Sequence, residues 1–350
     1  MTRLTIIPIL LATAAAAQPP QLPRTGPPVL DGAEFTPDAK TVLVRFLTIT
    51  SSRNFRHASL YDVSTGRRLA GPAATAPQPG WVAEALHPDG AILLLSRPAV
   101  GGKESDEREL VLWDWGASRE VRAFAPPVAL LDRATFTPDG KLVVTTHCDN
   151  RVLTWNPATG KQSGSLDRPY EPLPPSAHGP RLVVSANSGR LVTADSDGLA
   201  DWDLASGRRV GPAAAVPARR LRGDLAACSA DGRSAVTVRM GIGPDETGVW
   251  VWDLGVGRLH RALAFPEGYV AGAAVTEDGR VLAASGRGAV RAWDADGKLL
   301  WRASVGKSKG VSSAVFSPGG RFLVTGGERT TLQMWDTEKR KAIWTADEHR

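Results

Sequence analysis

A tryptophan–aspartate pair recurs along the chain and limits its possible folds more than any other feature. The pair or a close variant occupies Tyr61-Asp62, Trp113-Asp114, Trp155-Asn156, Trp202-Asp203, Trp252-Asp253, Trp293-Asp294 and Trp335-Asp336. Successive copies are separated by 41 to 52 residues. A sugar site that combines an aromatic platform with an acid–base carboxylate needs only one such pair. Near-regular repetition therefore indicates a repeated structural unit instead.

Each copy lies in the same local pattern of turns and short apolar runs. A turn such as FTPDGK (136–141) separates two runs rich in Val, Thr, Phe and Leu. A third run ends in the pair, a second turn such as NPATGKQ (156–162) follows, and a fourth run closes the unit. Such runs and turns are typical of β-hairpins. The sequence predicts four antiparallel strands, a to d, per repeat. The expected repeats are 28–71, 80–125, 130–167, 181–211, 224–265, 270–304 and 311–347.

Four strands, this period, an F-[ST]-P-D-G turn and a terminal Trp-Asp together resemble the WD40 repeat β-propeller family. The resemblance extends over about residues 28 to 346 and implies an all-β, seven-bladed β-propeller of four-stranded antiparallel blades. One such unit is too small to bury both faces of its sheet, and radial stacking solves that problem.

The chain also departs from the family pattern. The Gly-His dipeptide that opens many family repeats is absent, so the His–Ser/Thr–Asp–Trp hydrogen-bond network is expected to be incomplete, with Asp149 and Asp195 keeping a fragment of it. Repeat 4 lacks its Pro-Asp turn and is expected to be irregular. KAIWTAD (341–347) supplies a fourth strand to repeat 7. We therefore expect blade 7 to come entirely from the C-terminal part of the chain.

The N-terminal residues predict export. Arg3, an uncharged stretch to Ala17 and the small-x-small pattern before Gln18 are typical of a signal peptide over residues 1–17. A Pro-rich linker (18–27) and the propeller (28–350) are expected to follow, with a periplasmic or extracellular location and no membrane span after cleavage.

The net charge is +6, but the basic residues are scattered, so no nucleic-acid partner is expected. Cys148 and Cys228 fall in non-adjacent repeats, which disfavours a disulfide. The propeller is expected to be monomeric.

The two faces of the expected ring differ in loop length. Turns a–b and c–d are short and share one face, whereas the longer b–c and d–a loops share the other. Elaborated loops on a rigid scaffold are where binding is expected. The candidate binding residues on this loop face are Arg53, Asn54, Phe55, Arg56, Glu104, Asp106, Tyr170, Glu171, Arg219, Arg220, Arg222, Asp245 and Glu246.

The WD40 resemblance implies a non-catalytic scaffold that binds a protein or peptide. The loop asymmetry and the lack of a catalytic motif agree with that expectation, and neither a cofactor nor a metal is expected. The alternative is an exported propeller enzyme or ligand-binder. A second Trp on strand d, Trp301 and Trp344, is similar to quinoprotein dehydrogenases, which use a quinone and calcium; glycosidase-like or lactonase-like activity also stays open. The two hypotheses differ in the axial funnel, where an enzyme should bring together carboxylates or an Arg/Asn/Asp cluster and a scaffold should not.

Overall fold

The computed structural model describes the chain from residue 29 to residue 347 with gaps. The described ranges are 29–49, 54–78, 80–99, 107–166, 181–185, 187, 189–195, 198–212, 225–239, 247–305, 311–327 and 331–347. The predicted signal peptide and linker lie outside them, so that division of the chain stays a prediction. The described part contains no helix with the length and apolar character needed to cross a bilayer.

The first three blades each contain four antiparallel strands that follow one another in sequence order. Blade 1 is formed by β1 (Val29–Phe35), β2 (Thr41–Ile49), β3 (Asn54–Asp62) and β4 (Arg68–Ala70). A one-turn helix, α1 (Pro72–Thr75), leads to blade 2, with β5 (Val82–Leu86), β6 (Ile92–Pro98), β7 (Arg108–Asp114) and β8 (Arg119–Ala123). Blade 3 is formed by β9 (Leu131–Phe136), β10 (Val143–His147), β11 (Val152–Asn156) and β12 (Lys161–Ser165).

The remaining blades repeat this order to the C-terminal end. Blade 4 has β13 (Arg181–Val184), β14 (Arg190–Asp195) and β15 (Gly198–Asp203). Blade 5 has β16 (Leu225–Cys228), β17 (Ser234–Arg239), β18 (Gly248–Asp253) and β19 (Arg258–Ala264). Blade 6 has β20 (Val270–Val275), β21 (Val281–Ser285), β22 (Ala289–Trp293) and β23 (Leu299–Ser304). Blade 7 has β24 (Val311–Phe316), β25 (Phe322–Gly327), β26 (Thr331–Asp336) and β27 (Lys341–Asp347).

The seven-bladed β-propeller is thus confirmed, and each expected repeat coincides with one blade. Blade 4 is irregular, as predicted: it has three strands in its described residues, and a bridge between Trp202 and Arg209 marks the start of position d. Blade 7 is built entirely from the C-terminal part of the chain, also as predicted.

The hydrophobic core is divided among the seven boundaries between adjacent blades. Separate clusters of buried side chains lie between blades 1 and 2, 2 and 3, and so on, to the boundary of blades 7 and 1. Strand b is buried on both faces because each blade lies between two neighbours; all five residues of β10 and of β21 are buried. No blade could therefore bury its apolar residues alone.

The repeated Trp-Asp pair has the same structural role in each blade. The aromatic ring packs against the preceding blade, as Trp252 does against Val192 and Ala194 of blade 4. The following Asp closes the c–d turn: the carboxylate of Asp253 accepts the backbone N–H groups of Gly255 and Val256. The pair is therefore architectural.

In blades 3 to 5 the indole N–H groups of the repeated Trp donate to a partner that the sequence analysis did not predict. Trp155, Trp202 and Trp252 donate to Thr145, Thr193 and Thr237 of strand b, each two residues beyond the position paired with the Trp. In blade 3 the chain of bonds continues from Thr145 to His147 and the carbonyl of Ala129.

The expectation for Asp149 was wrong. Its carboxylate binds Arg151 within its own turn at 2.6 Å, not the indole network. The guanidinium of Arg151, two residues away, neutralises the charge of this carboxylate within the turn. The side chain of Asp195 lies outside the described residues.

Contacts between a c–d turn and the preceding blade close the ring. The turn glycine of blade 4, Gly207, has φ +68°, and a Cβ there would lie 2.5 Å from the carbonyl oxygen of Ser165 in blade 3. At the junction of blades 7 and 1, the indole of Trp344 donates to the carbonyl of Val63 at 2.7 Å and stacks on Tyr61. In both cases a c–d turn packs against strand d of the preceding blade, within the ring and at the junction of its two ends.

Candidate functional site

The inner strands enclose an axial channel whose two walls differ in chemistry. Its volume is about 850 Å³. Blades 1 to 3 supply a charged wall, and blades 4 to 6 supply a largely apolar wall. The charged wall contains Asp31, Glu34, Arg45, Arg56, His57, Glu84, Asp132 and Arg133. The apolar wall contains Leu182, Val183, Val184, Cys228, Ala230 and Val275, and Glu277 of blade 6 adds one carboxylate beside them. A large pocket with a few convergent polar groups is the usual place for a ligand.

Glu34 of β1 links three blades within the charged wall. Its carboxylate accepts the backbone N–H of Leu86 in blade 2 at 3.1 Å and the hydroxyl of Thr135 in blade 3 at 3.4 Å. Arg45 lies 3.7 Å away. About a quarter of the Glu34 side chain, 23%, stays exposed toward the channel. Burial raises the pKa of this carboxyl, although Arg45 and the hydrogen bonds oppose the shift.

Glu84 of β5 extends the cluster into blade 2. The hydroxyl of Ser96 donates to its carboxylate at 2.6 Å, and Arg108 donates to the same hydroxyl at 2.9 Å. Arg45 donates to the backbone carbonyl of Glu84, so one guanidinium connects the two glutamates. Burial raises the pKa of Glu84 as well, against the attraction of the nearby guanidinium groups.

The loop-face end of the channel carries an ion pair and a buried imidazole. Arg56 lies 3.5 Å from Asp31. The His57 ring stacks on Phe46, and its Nδ1 atom is buried without a hydrogen-bond partner among the described residues. Burial lowers the pKa of His57, so the imidazole is neutral at neutral pH.

The arrangement supports binding and inter-blade attachment. The carboxylates of Glu34 and Glu84 accept hydrogen bonds from side chains and backbone of neighbouring strands, which fixes the inner strands of blades 1 to 3 relative to one another. Within the described ranges, no group of three or more His, Cys, Asp or Glu side chains is placed to hold a metal ion. In the described part of the chain, neither Cys148 nor Cys228 forms a disulfide.

Most of the candidate binding residues fall outside the described part of the chain. Arg53, Glu104, Asp106, Tyr170, Glu171, Arg219, Arg220, Arg222, Asp245 and Glu246 lie there. Asn54 and Phe55 begin strand β3, and their side chains are also outside the description. Arg56 is described: it is exposed and belongs to β3, not to a loop, at the mouth of the channel. The antiparallel order of the strands places the b–c and d–a loops on one face, as predicted.

The channel residues were missed because they are far apart in sequence. Glu34, Arg45, Glu84 and Thr135 come from three repeats and belong to no local motif. One signal was present: Glu34 and Glu84 each follow an Ala in the first strand of a repeat and are flanked by apolar residues. A carboxylate in such a strand needs a partner across the sheet or in a channel.

The second Trp of blades 6 and 7, which suggested a quinoprotein, packs between blades. Arg340 of blade 7 lies over the ring of Trp301 at 5.4 Å. Trp344 joins blade 7 to blade 1 as described above. Neither residue lines the channel. Inter-blade packing therefore accounts for both.

A largely buried ion pair between two strands of blade 4, Arg190 of β14 and Asp201 of β15, makes the free energy of unfolding depend on pH. Burial raises the pKa of Asp201 to about 6, although Arg190 is 2.5 Å away. Because this pKa is raised in the folded state, the protonated carboxyl stabilises the fold below the unfolded pKa, and this stability is lost as pH rises through about 6. We expect Asp201→Asn to gain about 1–2 kcal/mol relative to wild type between pH 4 and pH 7.

Urea denaturation at several pH values measures this difference. Asp203→Asn is the matched control, because hydrogen bonds from Ser206 lower the pKa of Asp203. Its stabilising effect is present above the unfolded pKa and lost as pH falls, so its removal should give no gain at neutral pH. Parallel pH profiles for wild type and Asp201→Asn would refute the role of Asp201.

Comparisons with known proteins give one partial similarity. Residues 242–350, which include β18 and β19 of blade 5 and all of blades 6 and 7, match a family model described as outer membrane protein assembly factor BamB. The match extends over about a third of the chain. No curated protein matches the chain. The β-propeller class is thus supported by both sequence and structure, and the WD40 pattern stays a resemblance.

Proposed function

We propose that the protein is a non-catalytic interaction module that binds a protein or peptide through the b–c and d–a loop face. The observation that carries this proposal is the match of blades 5 to 7 to the BamB model, on a ring that is closed from blade 1 to blade 7. That family is an outer membrane protein assembly factor. We therefore propose a protein partner outside the cytoplasm. The predicted signal peptide agrees with this exported location.

The chemistry of the two faces supports the same proposal. On the short-turn face, the turns satisfy their own polar groups: Asp38 accepts from Thr36 and Lys40, and Asp139 accepts from Thr137 and Lys141. Groups paired within a turn have fewer hydrogen bonds to offer a partner. The opposite face carries the longer loops.

Photo-crosslinking from matched positions at the two ends of β21 tests the choice of face. Arg287 lies in the b–c turn of blade 6, and Arg280 lies in the a–b turn; both are exposed. A photoreactive residue is introduced at one or the other in the full-length protein, in the native cells. We expect a discrete protein adduct from position 287 and none from position 280. Equal adducts from both positions, or an adduct from position 280 alone, would contradict the proposal.

A second candidate function is a ligand-binding or enzymatic role for the channel. It is favoured by Glu34, Arg45 and Glu84, which bring two carboxylates and a guanidinium together in the channel. Convergent carboxylates in the funnel are what the sequence analysis expects of an enzyme. The donors that these carboxylates already bind support a structural role instead. Glu84→Gln separates the two: a scaffold should keep its crosslinked partner, whereas an enzyme should lose turnover of its substrate.

A further inference from the structure

The channel has a charged wall and a largely apolar wall, and carboxyl groups outnumber guanidinium groups in its lining. These two properties specify a class of ligand. We propose that the axial channel binds a small organic cation with an apolar body, such as a primary alkylamine or arylalkylamine. The proposal does not depend on the partner proposed for the loop face.

The charge of the lining favours a cation. Five carboxyl groups line the channel, and they are Asp31, Glu34, Glu84, Asp132 and Glu277. Three guanidinium groups accompany them, and they are Arg45, Arg56 and Arg133. Arg45 and Arg56 already bind protein groups, the carbonyl of Glu84 and the carboxylate of Asp31. An anionic ligand would meet the excess of carboxylates in a confined space, where charge repulsion is poorly screened.

The glutamates gain from an added positive charge. Glu34 and Glu84 are partly buried, and the guanidinium groups nearby do not offset the cost of burying their charges, so the pKa of each carboxyl stays raised. An ammonium group within a few ångströms would stabilise their ionised forms. Cation binding and loss of protons from the glutamates should therefore be linked, so the affinity should increase as pH rises.

The apolar wall of the channel would contact the apolar body of the proposed ligand. Leu182, Val183, Val184 and Val275 are partly exposed toward the channel. A hydrocarbon chain against this wall would remove apolar surface from water on both sides. The volume of about 850 Å³ lies within the usual range for small-molecule sites. On the polar side, the Nδ1 atom of His57 has no hydrogen-bond partner within the described part of the chain and offers a further hydrogen-bonding position.

Titration calorimetry with two isosteric probes tests the proposal on the full-length protein. 4-Phenylbutylamine carries the cation and 4-phenylbutyrate carries the opposite charge on the same body. We expect the amine to bind with one-to-one stoichiometry, more tightly at pH 8 than at pH 5.5, and the carboxylate to give no measurable binding. Binding of both probes with equal affinity, or of neither, would overturn the proposal.

Two variants locate the site within the channel. Glu84→Gln keeps a side chain that can still accept from Ser96, and it should weaken amine binding by about tenfold, which is about 1.4 kcal/mol. Glu338→Gln removes one charge from an exposed turn of blade 7 and should leave the affinity unchanged. Thermal melting confirms that both variants are folded. Equal affinities of the two variants would refute the assignment, whatever the crosslinking experiment shows about the loop face.

Discussion

Trp252→Ala is expected to lower the free energy of unfolding by about 3–5 kcal/mol, the usual cost of truncating a buried aromatic side chain. Trp252 is 3% exposed and fills the boundary of blades 4 and 5. The truncation leaves a cavity there and removes the donor to the Thr237 hydroxyl, a 2.9 Å hydrogen bond. Urea denaturation followed by circular dichroism measures the loss.

Trp252→Phe is the matched control for this variant. It keeps an aromatic ring at the boundary and removes only the indole N–H and part of the volume. We expect a smaller loss, about 1–2 kcal/mol, because one buried hydrogen bond contributes about 1 kcal/mol. An unfolding midpoint of Trp252→Ala equal to that of wild type would show that the ring does not hold the blades together.

Gly272→Ala is the second variant with a large expected effect. Gly272 lies in β20, the inner strand of blade 6, where a Cβ would be 1.8 Å from the carbonyl oxygen of Ala314 in β24. Because that oxygen belongs to the backbone, the inner strands of blades 6 and 7 would have to separate. We expect a loss of about 2–3 kcal/mol, at the upper end of what overpacking costs.

The ring itself offers a control for this substitution. Gly32 occupies the corresponding bulge of β1 in blade 1, and its added Cβ would meet only the guanidinium of Arg45 at 3.4 Å. Gly32→Ala should therefore lose much less stability than Gly272→Ala. Equal melting temperatures for the two variants would contradict the close approach of β20 and β24.

The sequence predicted the architecture because its determinants are local and repeated. The turn carboxylates, the strand-b apolar runs and the Trp spacing are each readable within one repeat, and they placed seven blades and the closure by blade 7. The acceptor for Trp252, a Thr two residues past the paired position in strand b, could not be predicted in this way. Trp335 has Thr325 at the same position, but its indole N–H has no hydrogen-bond partner among the described residues.

The candidate site was not predictable in the same way. Glu34 meets Leu86 and Thr135 only because the ring brings three inner strands together, across 52 and 101 positions of sequence. The asymmetry between a charged wall and an apolar wall is a property of the closed ring and of no single repeat. The residues chosen from loop length concentrate in the segments outside the described ranges, so their role stays a prediction.

The central claim is that the Trp-Asp pair is architecture and that binding occurs on the opposite face. Asp253→Asn tests this claim with one measurement, the yield of the crosslinked adduct from position 287. Blade 3 already uses Asn156 at the equivalent position, where its side-chain oxygen accepts from Ala158 and Thr159. We expect Asp253→Asn to leave the adduct yield unchanged and to keep the free energy of unfolding within about 1 kcal/mol of wild type, since the turn keeps its acceptor. Loss of the adduct from a variant that is as stable as wild type would contradict the account.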